Sequence, residues 1–197
     1  MGIPALVGYS SGMGIPAQEW STLSSEDKRS RTLAAADRLF ARDGLDAPMP
    51  ALAEALGIGV GSIYRQVGTK DELIGALVIE RAETLSARFE ATLASSDPWP
   101  AMEAAVHETV DDCLRDALSQ SAWDQAAIGS DEVKAARQQA TDSLTAMFDR
   151  AREAGEITPE ASPEDLRLLF FALREFSSVG EEQAHRFADL VLRGIRK

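Results

Sequence analysis

Ser62, Tyr64, Arg65, Thr69 and Lys70 place three hydroxyls, a guanidinium and an ammonium in one short stretch of the chain. That donor set suits phosphate oxygens and base edges: the cations neutralise phosphates, and the hydroxyls complete the hydrogen bonding. Lys28, Arg29 and Arg31 form a second basic cluster upstream, and no Lys or Arg precedes it. Side chains for turnover chemistry are fewer: two histidines, His107 and His185, and a single cysteine, Cys113. His107 and Cys113 stand about 240° apart on a helix, so they make no local nucleophile and base pair. His107 with Asp111 one turn on reads as a surface hydrogen bond, and Cys113 as a small core hydrophobe. No Cys/His spacing suits a metal. Gly57, Gly59 and Gly61 make no dinucleotide loop, because no strand is predicted before them. No catalytic residue, metal or cofactor is expected.

The donors around Tyr64 need helices to hold them. Leu52, Ala53 and Leu56 give a short helix an apolar underside, and Gly57 can enter the left-handed region that ends it. The turn is therefore set at Gly57-Ile58-Gly59, and a second helix is predicted from Val60 to Gln66. Ile63 points to the core, leaving Ser62, Tyr64 and Arg65 on other faces, with Val60 and Ser62 nearer the bases. Thr69-Lys70-Asp71-Glu72 is a capping box, so a long helix starts at once. This is a helix-turn-helix, and the spacing predicts contacts to DNA from Gly59, Val60, Ser62, Tyr64, Arg65, Thr69 and Lys70, joined by Lys28, Arg29 and Arg31.

From about Lys28 to Leu77 the chain resembles the DNA-binding domain of TetR-family transcriptional regulators. The likeness rests on Leu33-Ala34-Ala35-Ala36, Leu39-Phe40 and Gly44, on Leu52-Ala53 and Leu56-Gly57-Ile58, on Gly61-Ser62-Ile63-Tyr64, and on Lys70-Asp71-Glu72-Leu73. Two positions depart from the family pattern. Gly59 stands where Ser or Thr usually caps the recognition helix, and Val67 where Phe is usual. A Gly cap costs a few tenths of a kcal/mol relative to Ser, and Val67 keeps an apolar side chain of smaller volume.

The net charge of −12 at first opposes a nucleic-acid partner. It is unevenly spread: residues 1–75 hold 7 basic and 9 acidic side chains, leaving −10 for residues 76–197. The local sign on the expected DNA-facing segments is positive, and phosphate contact depends on that local charge. With 45% apolar residues the chain can bury a core, and its Ala- and Leu-rich composition favours helix over sheet. One cysteine excludes an internal disulfide and fits a reducing compartment. No run approaches the roughly 18 apolar residues of a membrane span, and no basic n-region opens the chain. A cytoplasmic protein is expected.

These readings predict an all-α fold of about nine helices. Residues 1–20 form a flexible Gly/Ser/Pro-rich tail in which Met-Gly-Ile-Pro-Ala occurs twice, residues 21–75 a three-helix helix-turn-helix domain, and residues 76–197 a helical ligand-binding and dimerisation domain. Near the C-terminus two helices are apolar over too much of their circumference. Leu166, Leu169, Phe170 and Leu173 make one face, while Leu168, Phe171, Ala172 and Val179 make a second; Phe187, Leu190, Val191, Leu192 and Ile195 cover the other helix. Two apolar faces suit a partner, although the first helix could instead be central to its own domain. A homodimer built on Leu168, Phe171, Ala172, Val179, Phe187, Val191 and Ile195 is the expectation.

Relatives in the family bind a small effector among the C-terminal helices. The resemblance then implies a pocket lined by Trp99, Met102, Val106, Cys113, Trp123, Met147, Phe148 and Phe171, suited to an apolar or aromatic molecule. It further implies a ligand-responsive dimer, expected to be a repressor, on a pseudo-palindromic double-stranded operator. The alternative is a helical small-molecule-binding protein of the same fold that no longer uses DNA.

Overall fold

A computed structural model describes residues 17–115, 130–175 and 180–197. The described residues form nine α-helices: α1 (Ala17–Thr22), α2 (Ser25–Asp43), α3 (Met49–Leu56), α4 (Val60–Val67), α5 (Lys70–Thr92), α6 (Pro98–Arg115), α7 (Asp131–Glu153), α8 (Pro163–Glu175) and α9 (Glu181–Ile195). Their sole β-type pairing is one isolated bridge, Ile157 to Arg196.

Local chemistry sets most of the boundaries. Ser24 caps α2 by accepting the Asp27 amide at 3.0 Å, and Gly44, at φ 79°, ends it. Gly57 ends α3 at φ 69°, ψ 29°, with its own amide donating to the Glu54 carbonyl and that of Ile58 to the Ala53 carbonyl, both at 3.0 Å. This paired closure is the Schellman arrangement, which needs a left-handed residue where Gly57 stands. Ser130 caps α7, and Pro163 opens α8, where its missing amide would have had no helical partner.

Two apolar clusters fill the interior. The N-terminal one joins Leu39, Phe40, Leu52, Leu56, Ile63, Val67, Leu73 and Leu77. The C-terminal one contains Phe89, Met102, Val106, Leu144, Phe148, Leu166, Leu169 and Leu192. The helix α5 contributes to both, with Leu73, Leu77 and Val78 in the first and Phe89 in the second. Its most extensive partner is α7, whose first turn sends Val133 back into the N-terminal cluster. A Cβ placed on Gly75 would lie 3.3 Å from the Val133 Cγ2, so these two helices approach closely there. One unbroken helix runs across the boundary near residue 75. The chain terminus is pinned as well: Thr158 donates to the Ile195 carbonyl and Lys197 to that of Glu156.

One expectation fails at the start of the chain. The tail expected to be flexible through residue 20 is helical from Ala17, and Trp20 is 7% exposed within the N-terminal cluster. Burying an indole outweighs the Gly/Ser/Pro character of the segment before it.

Phe148 is fully buried, with the Arg152 guanidinium 4.9 Å from its ring centroid. Phe148→Ala is expected to lower unfolding free energy by about 3–5 kcal/mol, measured by denaturant titration of the purified protein.

Candidate DNA interface and interhelical groove

The amphipathic helix α4 buries Ile63 and Val67 against the N-terminal cluster and turns Tyr64, 49% exposed, outward. Arg65 is exposed and donates to the Ser62 Oγ at 2.9 Å, so the two polar residues form one surface unit. At the start of α4, Gly59 is the N-cap and offers no side-chain hydrogen bond. A Cβ on Gly59 or on Gly61 would meet nothing within 4 Å, which leaves this backbone open on its outer side. Free amides at a helix start favour an approaching anion such as a phosphate. Val60 is partly buried against the core, which restricts it to an edge contact.

At the other end of α4, Gly68 has φ 69°, a backbone conformation that favours glycine, and the Glu72 carboxylate lies against its Cβ position. Thr69 then starts α5: its amide donates to the Glu72 Oε2 at 2.7 Å, its hydroxyl donates to the same oxygen at 2.9 Å, and the Glu72 amide donates back to the Thr69 Oγ1 at 3.2 Å. Those donors, the Thr69 backbone N–H first, hold the Glu72 carboxyl below the usual carboxylate range. Lys70 follows, half-exposed in the first turn of α5. Thr69 thus positions Lys70 while its own hydroxyl is engaged in the cap.

The upstream basic cluster divides. Arg29 is exposed but donates to the Gln66 carbonyl at 2.9 Å, tying the start of α2 to the last turn of α4 and placing a cation at that helix's negative end. Lys28 and Arg31 are half-buried on α2. The sequence reading missed this orienting use of Arg29, whose partner lies 37 positions away with no local signal.

A groove of about 1000 Å³ runs between α2, α5, α6, α7 and α8. Leu33, Leu85, Phe89, Leu144, Phe170 and Phe171 supply apolar wall, while Asp37 and Arg81 pair across α2 and α5 on its polar side. Of the expected lining, Cys113 and Phe171 border this groove. Trp99, Met102, Val106, Met147 and Phe148 do not: they are at most 2% exposed, because their helical spacing turns them into the C-terminal core. Trp123 lies outside the described residues.

The expected dimer residues also divide. Leu168, Phe171 and Phe187 are 57%, 48% and 38% exposed, and Leu190, which was not singled out for the interface, is 53% exposed. Ala172 and Val191 are half-buried, and Val179 lies outside the described residues. Ile195 is corrected: at 5% exposed it belongs to the protomer's own core, drawn in by the bridge that pins the chain end. His107 is corrected too. Its partners are His185, Nδ1 to Nδ1 at 2.8 Å, and Asp189, while Asp111 pairs with His185.

Residues 33–77 match the family model described as bacterial regulatory proteins, tetR family, and residues 97–197 match that of the transcriptional regulator SbtR-like C-terminal domain. The chain belongs to the TetR family. Among solved structures, the TetR regulator SCO0520 from Streptomyces coelicolor is 32% identical, with TM-score 0.65, over 85% of this chain and 98% of that one. SmeT, the repressor of the Stenotrophomonas maltophilia multidrug efflux pump SmeDEF, shares the fold at 18% identity and TM-score 0.67 over 91% of this chain and 93% of its own. So does the ketosteroid transcriptional regulator KstR2 of Mycobacterium tuberculosis, at 19% identity and TM-score 0.66, over 86% and 95%. This TetR protein is accordingly a DNA-binding transcriptional regulator, in a family of regulators and not of enzymes. No helix of its described residues is long and apolar enough to cross a membrane.

The Glu72 cap gives a pH dependence of defined sign. Its folded-state acidity is stronger than in the unfolded chain, so the cap's stabilisation is complete above the unfolded carboxyl range near pH 4.5 and is lost as pH falls through the lower folded value. Thr69→Ala, which keeps the backbone N–H and loses only the hydroxyl, is expected to cost about 1 kcal/mol at neutral pH and to shrink this acid limb of the stability curve in part, whereas Glu72→Gln removes it, both read by thermal melts between pH 3 and 7.

Proposed function

We propose that this protein is a cytoplasmic, ligand-responsive homodimeric repressor that inserts α4 of each protomer into successive major grooves of a pseudo-palindromic operator. The observation that carries this reading is the division of α4: Ile63 and Val67 are buried, while Tyr64, Arg65 and the open backbone at Gly59 and Gly61 face outward beside Lys70. Two-fold symmetry with one helix per half-site implies half-sites about 34–36 Å apart. Tyr64, Arg65, Lys70, Ser62 and the amides at the start of α4 make the contacts, with Thr69 and Arg29 holding the elements in place. An apolar or aromatic molecule occupying the groove along α5 changes the separation of the two α4 helices and releases the DNA, and by linkage operator DNA weakens effector binding by the same factor.

An operator is obtainable by selection from random duplex DNA. Tyr64→Ala with Lys70→Ala is expected to weaken its binding at least tenfold, or about 1.4 kcal/mol. Lys70→Ala alone should lower the slope of log affinity against log salt by about 1. Fluorescence anisotropy measures both, and unchanged affinity in the double variant would remove α4 as the reading element.

The dimer is supported by the exposed Leu168 and Phe171 on α8 and Phe187 and Leu190 on α9, large apolar side chains left uncovered in one protomer. Leu168→Glu with Leu190→Glu should yield a helical monomer by light scattering and circular dichroism. A dimer persisting in that variant would place the interface elsewhere.

A further inference from the structure

The helices α6 and α9 are joined by a polar chain that no part of the DNA or groove reading uses: Asp111, His185, His107 and Asp189. The His185 Nε2 lies 2.8 Å from the Asp111 Oδ1, the two Nδ1 atoms are 2.8 Å apart, and the His107 Nε2 lies 3.1 Å from the Asp189 Oδ1. The rings stack with centroids 5.0 Å apart. Each histidine is about 28% exposed, so bulk water screens the chain only partly.

Hydrogen counting exposes a deficit. The chain has three short contacts, and each needs a hydrogen or another cation between its two acceptors. Two neutral imidazoles bring two N–H groups, and ionised carboxylates bring none. If His107 donates Nε2–H to Asp189 and His185 donates Nδ1–H to His107, the gap between the His185 Nε2 and Asp111 holds two facing lone pairs. Glu181 stands at this gap. It precedes His185 by one helical turn on α9, and the ligand atoms of Asp111, Glu181 and His185 all lie within 4.8 Å of one another. One imidazole nitrogen and two carboxylates whose ligand atoms converge in this way form a donor set for a divalent transition metal.

We propose that Asp111, Glu181 and His185 bind one Zn²⁺-class ion per protomer, with water completing the shell. His107 is a positioning residue: it accepts the His185 Nδ1–H, which fixes the tautomer with a free Nε2, and is itself oriented by Asp189. This is the outer-shell arrangement that metal-bound histidines use. The ion would cross-link α6, which borders the groove through Thr109 and Cys113, to α9, which carries Phe187 and Leu190. The site does not depend on the DNA reading.

The test is titration of ZnCl₂ into the chelator-treated full-length protein, followed by calorimetry and by competition with a zinc-binding dye. One ion per chain is expected, with nitrogen and oxygen ligand distances of about 2.0–2.2 Å in zinc X-ray absorption. Glu181 is exposed, so Glu181→Gln should leave the fold intact while weakening binding tenfold or more. His185→Gln should abolish it, and His107→Gln should weaken it about 10–100-fold. An absence of saturable binding would overturn the proposal, as would zinc bound equally well by Glu181→Gln and His185→Gln. Full affinity in His107→Gln would overturn the positioning role.

Discussion

Everything in this molecule is referred to one helix start. Thr69 and Glu72 close on each other directly after the recognition helix, so α5 begins without slack and its direction is set by the same few atoms that hold Lys70. Because α5 then continues through both apolar clusters, no hinge lies between the DNA-reading surface and the C-terminal core. The Gly68 conformation, which favours glycine and has the Glu72 carboxylate against it, makes the junction between α4 and α5 similarly unforgiving.

The elements most readable from the amino-acid order were those whose determinants are adjacent. Gly57 announces a helix end because a left-handed residue is needed there, and Thr69 with Glu72 announces a helix start because both halves of the cap lie within one turn. Cys113 is buried, as its reading as a small core hydrophobe required. Legibility ended where partners are distant in the chain. Asp111 is one turn from His107 and was paired with it by proximity, yet the structure gives Asp111 to His185, 74 positions on. The pocket expectation gathered large apolar residues, but such residues fill a core before they line a void. The groove's walls depend instead on how α2 and α8 lie against α5, which helical periodicity does not encode.

The acidic total and the DNA-facing surface are compatible because charge is segregated by element. Arg65 and Lys70 bracket the exposed end of α4, and Arg29 is committed to the Gln66 carbonyl. The acidic excess sits on the C-terminal helices, where it meets Arg88, Arg152 and the histidine pair. An acidic remainder of this kind opposes loose, nonspecific attraction to a polyanion.

The close approach of Gly75 to Val133 divides α5 unequally. At 1.5 Å per residue the rod has an arm of about 21 Å from that contact to Phe89 and about 7.5 Å to Lys70. Any tilt of α5 about this fulcrum moves the Phe89 end nearly three times as far as it moves Lys70. A tilt about that contact would therefore be geared down on its way to Lys70, and a bulkier side chain at position 75 would meet Val133 first.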